Sequence, residues 1–89
     1  MPVVLNRVEK GRYLDSVALM RVSRALSTRP GVEAAALMIG SPSNLALMRE
    51  AALLAAEGEA ASANDLVIAV RANDEGAARD ALRAAAALL

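Results

Sequence analysis

The sequence predicts a layered α/β domain in which three strands alternate with three helices. Apolar runs of strand length at Val3–Glu9, Val32–Ile39 and Leu66–Val70 are separated by segments whose apolar residues recur at helical spacing. Turn residues stand at the junctions: Lys10-Gly11, Arg29-Pro30-Gly31, Gly40 before Ser41-Pro42, and Asn73-Asp74. A chain of 89 residues without an internal repeat or long linker makes one domain, spanning residues 1–89, near the size at which a single core is just sufficient.

Taken in order, Val3 to Glu9 is the first strand. Its alternation is imperfect, with Val4, Asn6 and Val8 on one side and Val3, Leu5 and Arg7 on the other. Asp15 or Ser16 then offers an oxygen to the first free amides of a helix running to about Thr28. Its inner stripe is Ala18, Leu19, Val22, Ala25 and Leu26. Pro30 and Gly31 stop it, since the residue before a proline avoids helical geometry and glycine permits the turn. Val32 to Ile39 is almost wholly apolar after Glu33, which suits a strand covered on both faces.

Ser41 at a cap followed by Pro42 opens a second helix, expected to run through Met48 and Leu53 to about Ala56, with Gly58 as its terminating glycine. This helix is apolar most of the way round, as befits one packed between layers or against another chain. Glu57 to Asp65 reads as a loop of small residues. Leu66 to Val70 is a continuous apolar run, as a central strand requires. Asn73 and Asp74 cap a last helix reaching Leu89, with Ala78, Ala81, Leu82, Ala85 and Leu89 inward and a Glu75–Arg79 pair outward.

A right-handed crossover through the first helix leaves room for the third strand between the first two. The expected sheet is therefore ferredoxin-like, with the third strand central and antiparallel to both neighbours; the alternative is an all-parallel three-stranded sheet. In the antiparallel scheme Asn64-Asp65 is expected at the edge away from the Gly11 and Gly40 turns, and Arg71 at the edge beside them.

Composition narrows the function. Hydrophobic residues make up 56% of the chain, yet Tyr13 is its only aromatic. A core of Ala, Leu, Val, Ile and Met buries little area per side chain, which favours a domain that completes itself by self-association. Ten basic residues balance ten acidic ones, without the cationic surplus that a nucleic-acid surface needs. Cysteine and histidine are absent, removing disulfides, thiolate or imidazole metal sites and the commonest general base. Met20, Met38 and Met48 read as core filling. No run approaches the roughly 18 apolar residues of a membrane span, and no basic-then-apolar leader opens the chain, so a cytoplasmic protein is expected.

The candidate site lies at the two glycine turns. Lys10, Gly11, Arg12, Tyr13, Asp15 and Ser16 gather cations, a phenol and a cap at one helix N-terminus, where the dipole favours an anion. Gly40, Ser41 and Asn44 repeat the pattern at the second, and Arg71 is the further cation expected to join them. The competing reading is that each turn simply caps its own helix. No Ser-His-Asp set, Walker loop or G-x-G-x-x-G is present, so no catalytic residue is assigned, and no metal ligand.

Three blocks carry a resemblance: K-G-x-Y-x-D-S-V-x-L-M at Lys10 to Met20, M-I-G-S-P-x-N at Met38 to Asn44, and A-N-D-L-V-I-A-V-R-A at Ala63 to Ala72. Together they resemble the N-terminal domain of the FdrA family, acyl-CoA synthetase-like proteins related to the succinyl-CoA ligase α subunit. The resemblance implies a domain preceding a ligase-like module, in a family associated with carbamoyl transfer in allantoin breakdown. It implies no cofactor held by this chain itself, with CoA or carbamoyl phosphate belonging to the parent assembly. The partner it implies is a ligase-like catalytic subunit; composition adds further copies of the chain, and the charged turns add a small anionic metabolite. Two alternatives stand beside it: a stand-alone anion sensor of the ACT or PII sort, and a microcompartment-type scaffold protein.

Overall fold

A computed structural model describes residues 2–89. Seven elements follow one another: β1 (Val3–Glu9), α1 (Ser16–Ser27), β2 (Val32–Ile39), α2 (Pro42–Glu50), α3 (Ala56–Glu59), β3 (Leu66–Ala72) and α4 (Glu75–Leu88). The sheet order is β1-β3-β2, with β3 antiparallel to both neighbours. This is the ferredoxin-like arrangement, and the all-parallel alternative is excluded. Among the described residues, no helix is long and apolar enough to cross a membrane.

The sheet separates two apolar layers. Leu66, Ile68, Val70 and Ala72 of β3 point to one face, where Val22 and Leu26 of α1 and Ala78, Ala81 and Ala85 of α4 close over them. Val67 and Ala69 point to the other, covered by Met48 of α2 and by Leu53 and Leu54. All of β3 except Arg71 is buried, as the unbroken apolar run of a central strand demands. Alanine dominates the buried stripe of α4, so helix and sheet approach closely without bulky side chains. On α1 the expected inner stripe narrows, because Ala25 is exposed.

Both helix starts on this face use an aspartate. Asp15 Oδ1 accepts from the Ala18 amide at 2.8 Å, and Asp74 Oδ1 from the Ala77 amide at 2.8 Å. The outer edge of β2 is partly occupied from within, since Leu37 N–H donates to Ser23 Oγ of α1 at 3.2 Å. Such a side-chain acceptor blunts an edge strand against adventitious pairing.

The middle of the chain departs from the sequence expectation. The helix expected from Ser41 to about Ala56 stops at Glu50, and a separate short helix, α3, forms where a loop was expected. Ala52, not Gly58, ends the helix: its φ is 59°, its N–H donates to Arg49 O at 3.1 Å, and Leu53 N–H donates to Met48 O at 2.9 Å. That is a Schellman closure with alanine in the left-handed position normally given to glycine. Gly58 instead lies buried against Asn6 and Leu54, where a Cβ would collide with both side chains. The third strand also runs two residues longer than expected, to Ala72, because both neighbours offer partners there: Val3 on one side and Val32 on the other.

Candidate functional site

Antiparallel pairing decides which corners of the sheet meet. Glu9 and Ile39, the last residues of β1 and β2, both pair with Leu66, the first of β3. The Gly11 and Gly40 turns therefore flank the start of β3, and the residue between them is Asp65. This corrects two expectations: Asp65 sits at the edge assigned to Arg71, and Arg71 at the edge assigned to Asp65. In an antiparallel sheet the start of the central strand faces the ends of its neighbours.

Asp65 is almost completely buried, at 8% exposure. Its Oδ1 accepts from the Gly11 amide at 3.2 Å, and its Oδ2 from the Ser62 amide at 3.0 Å. Its main-chain oxygen accepts from the Gly40 amide at 2.8 Å. Hydrogen bonds from Ser62 and then Gly11 hold the carboxyl below the usual aspartate range; burial opposes them, and Lys10 adds a smaller attraction. Both glycines are needed for the approach. Gly11 has φ of +66°, and a Cβ at Gly40 would stand 2.6 Å from Ser62 O. The anion at this corner is thus part of the chain.

The other expected site residues have local employment. Asp15 caps α1. Ser16 opens the same helix, exposed. Arg12 donates from Nη2 to Leu89 O at 3.1 Å. Lys10 is exposed, and Tyr13 is 79% exposed. Ser41 Oγ accepts from the Asn44 amide at 3.3 Å, and Asn44 Nδ2 donates to Ile39 O at 2.9 Å, tying the start of α2 to the end of β2. Arg71, at the far rim, donates from Nε to Glu33 Oε1 at 3.2 Å and from Nη1 to Ala51 O at 2.6 Å. Nine of the ten residues thus belong to the turns on one rim or the helix starts beside it, and Arg71 does not.

Sequence reasoning missed Asn6. It is buried on β1 and faces α3: Nδ2 donates to Leu53 O at 2.9 Å, and Oδ1 accepts from the Ala55 amide at 2.6 Å. An asparagine alternating with Val4 and Val8 on one strand face was the available signal. Met20 is a further correction, because it is 63% exposed on α1 instead of filling the core. It lines an open groove of about 590 Å³ with Val17, Arg21, Arg24, Ala25 and Thr28, which none of the ten expected residues touches.

The profile of the family described as "AllF, heavy metal-associated domain" matches residues 1–89. No solved structure matches the chain. The family description brings a soft metal ion to mind, and the residues do not fit one. The chain has neither cysteine nor histidine, and of its methionine thioethers Met20 stands exposed on α1 while Met38 and Met48 pack in the apolar layer beneath α2. Among the described residues no three His, Cys, Asp or Glu side chains converge. The carboxylate best placed to bind a cation, Asp65, spends both oxygens on backbone amides.

Proposed function

Because the chain belongs to the family of AllF heavy metal-associated domains, we propose that it works as a non-catalytic accessory and assembly domain. Its setting is an FdrA-type, acyl-CoA synthetase-like or carbamoyltransferase complex of allantoin breakdown, in which a ligase-like subunit handles CoA or carbamoyl phosphate. One observation carries this reading. The corner that would receive a small anion is filled by the Asp65 carboxylate, which takes amides a ligand would need. What remains free is surface: Tyr13, Val17, Met20 and Leu47 are large, apolar and more than half exposed. Surfaces of that kind serve docking.

Co-expression with a ligase-like FdrA subunit tests the proposal. The two chains should co-purify in fixed ratio. A catalytic subunit that assembles and turns over equally well without this chain would refute the role. An anion sensor, by contrast, would have to eject Asp65 first; a thermal shift with carbamoyl phosphate, lost on changing Lys10 and Arg12 to Ala, would favour that reading.

A further inference from the structure

The balanced charge total conceals a segregation. From residue 10 to residue 29 five cations, Lys10, Arg12, Arg21, Arg24 and Arg29, stand against Asp15 alone. Between residues 33 and 65 five carboxylates, Glu33, Glu50, Glu57, Glu59 and Asp65, stand against Arg49 alone. Outside the rim where Lys10 stands near Asp65, the fold keeps these groups apart, because α1 covers one face of the sheet while α2 and α3 cover the other. None of the five cations joins an ion pair among the described residues. Glu50 and Glu57 are likewise exposed and outside every ion pair there.

Each charged face also carries exposed apolar side chains. On α1, Val17 and Met20 are each 63% exposed, and each lies a turn or less from Arg21. On α2, Leu47 is 53% exposed, one turn before Glu50. An apolar centre flanked by charge is the anatomy of a docking patch, and here the two patches are opposite in sign.

We propose that the basic face of α1 docks on the acidic face of α2 and α3 of a second copy of this chain. Val17 and Met20 meet Leu47 in that contact, and Arg21 and Arg24 meet Glu50 and Glu57. The contact is heterologous, because each copy contributes a different surface. Every copy added leaves one basic and one acidic face open, so association continues into a ring or an open stack. The contact rests on the assembly reading above, with its own point of failure. A chain that self-associates but ignores the ligase-like subunit refutes that reading alone, and a monomer that binds the subunit refutes this one alone.

Sedimentation and light scattering of the full chain provide the test, using two double variants: Arg21→Glu with Arg24→Glu, and Glu50→Lys with Glu57→Lys. Wild type should exceed the monomer mass at low salt. Its association should weaken roughly tenfold or more as salt rises to about 0.5 M, where screening reaches within a contact distance. Each double variant alone should be monomeric, with wild-type circular dichroism showing that it is folded. Mixed, the two should associate again in a 1:1 ratio, because the intact acidic face of the first meets the intact basic face of the second, and the two reversed faces are themselves opposite in sign. A wild-type monomer at low salt and high concentration overturns the proposal, even if the basic face captures some other protein. So does a mixture that stays monomeric, or a double variant that associates as wild type does.

Discussion

The two faces of the sheet are closed by different means. The α1/α4 face is covered by helices of 12 and 14 residues whose inner stripes are wholly apolar. The α2/α3 face is covered by helices of 9 and 4 residues, too short to bury a long stripe. It is held instead by polar pins: Asn6 grips the segment after α2, and Arg71 holds the carbonyl of Ala51. An exposed Arg49–Glu59 pair joins the two short helices, raising the arginine pKa and lowering the glutamate's through their hydrogen bonds. Long amphipathic helices find their place by periodicity alone. Short ones need directional contacts to fix them.

Substitutions can sharpen or break that contrast. The largest effect is expected on the apolar face, where Leu26→Ala removes a fully buried side chain and should cost about 3 kcal/mol in urea unfolding. A cost under about 1 kcal/mol would mean that this face is as loosely packed as the other. On the pinned face, Asn6→Ala leaves a buried carbonyl and amide without partners and should cost about 2 kcal/mol. Hydrogen exchange should show the loss spreading from Leu53 and Ala55, while α1 and α4 stay protected; uniform loss would erase the distinction between faces.

Arg71→Met comes next, at about 1 kcal/mol, since its partners are partly exposed. It should speed proteolysis around Ala51 more than elsewhere. Ala52→Gly has the opposite sign. Relief of the left-handed alanine outweighs the added chain entropy, for a net gain of about 0.5 kcal/mol, read as a higher urea midpoint; no gain would show that the turn is unstrained.

Acid supplies the last test, at the rim where both faces end. The Asp65 carboxyl is held below its ordinary value when folded, so its contribution is present above the unfolded aspartate value of about 3.9 and is lost as pH falls through the folded value. The difference in denaturation midpoint between wild type and Asp65→Asn should therefore be constant near neutrality and shrink below about pH 4. A difference that survives at pH 2 would assign the effect to shape and not to charge.

Legibility followed the same division. The bounds of β1 and β2, the capped starts of the first and last helices (though not which of Asp15 or Ser16, or of Asn73 or Asp74, is the cap), and the central place of β3 were readable because each rests on residues near in sequence or on an unbroken apolar run. The end of α2 was not, because alanine stands in its left-handed closing position and the segment after it is pinned by Asn6, 47 residues before the Leu53 carbonyl that it binds. A side chain that distant leaves no trace in local spacing. The exchange of Asp65 and Arg71 has another origin: it follows from the antiparallel order itself, which sets the start of β3 beside the ends of β1 and β2. Nine of the ten expected site residues still fall near one rim, since both glycine turns are local features.

Tyr13 has a practical consequence. As the only aromatic side chain, and one standing 79% clear of the protein, it leaves the interior without a chromophore. Near-ultraviolet absorbance and intrinsic emission therefore report almost nothing about whether the core is intact. They watch the β1–α1 turn alone. A change in tyrosine signal on mixing with another molecule reads out events at that turn, with no label added and no background from the rest of the chain.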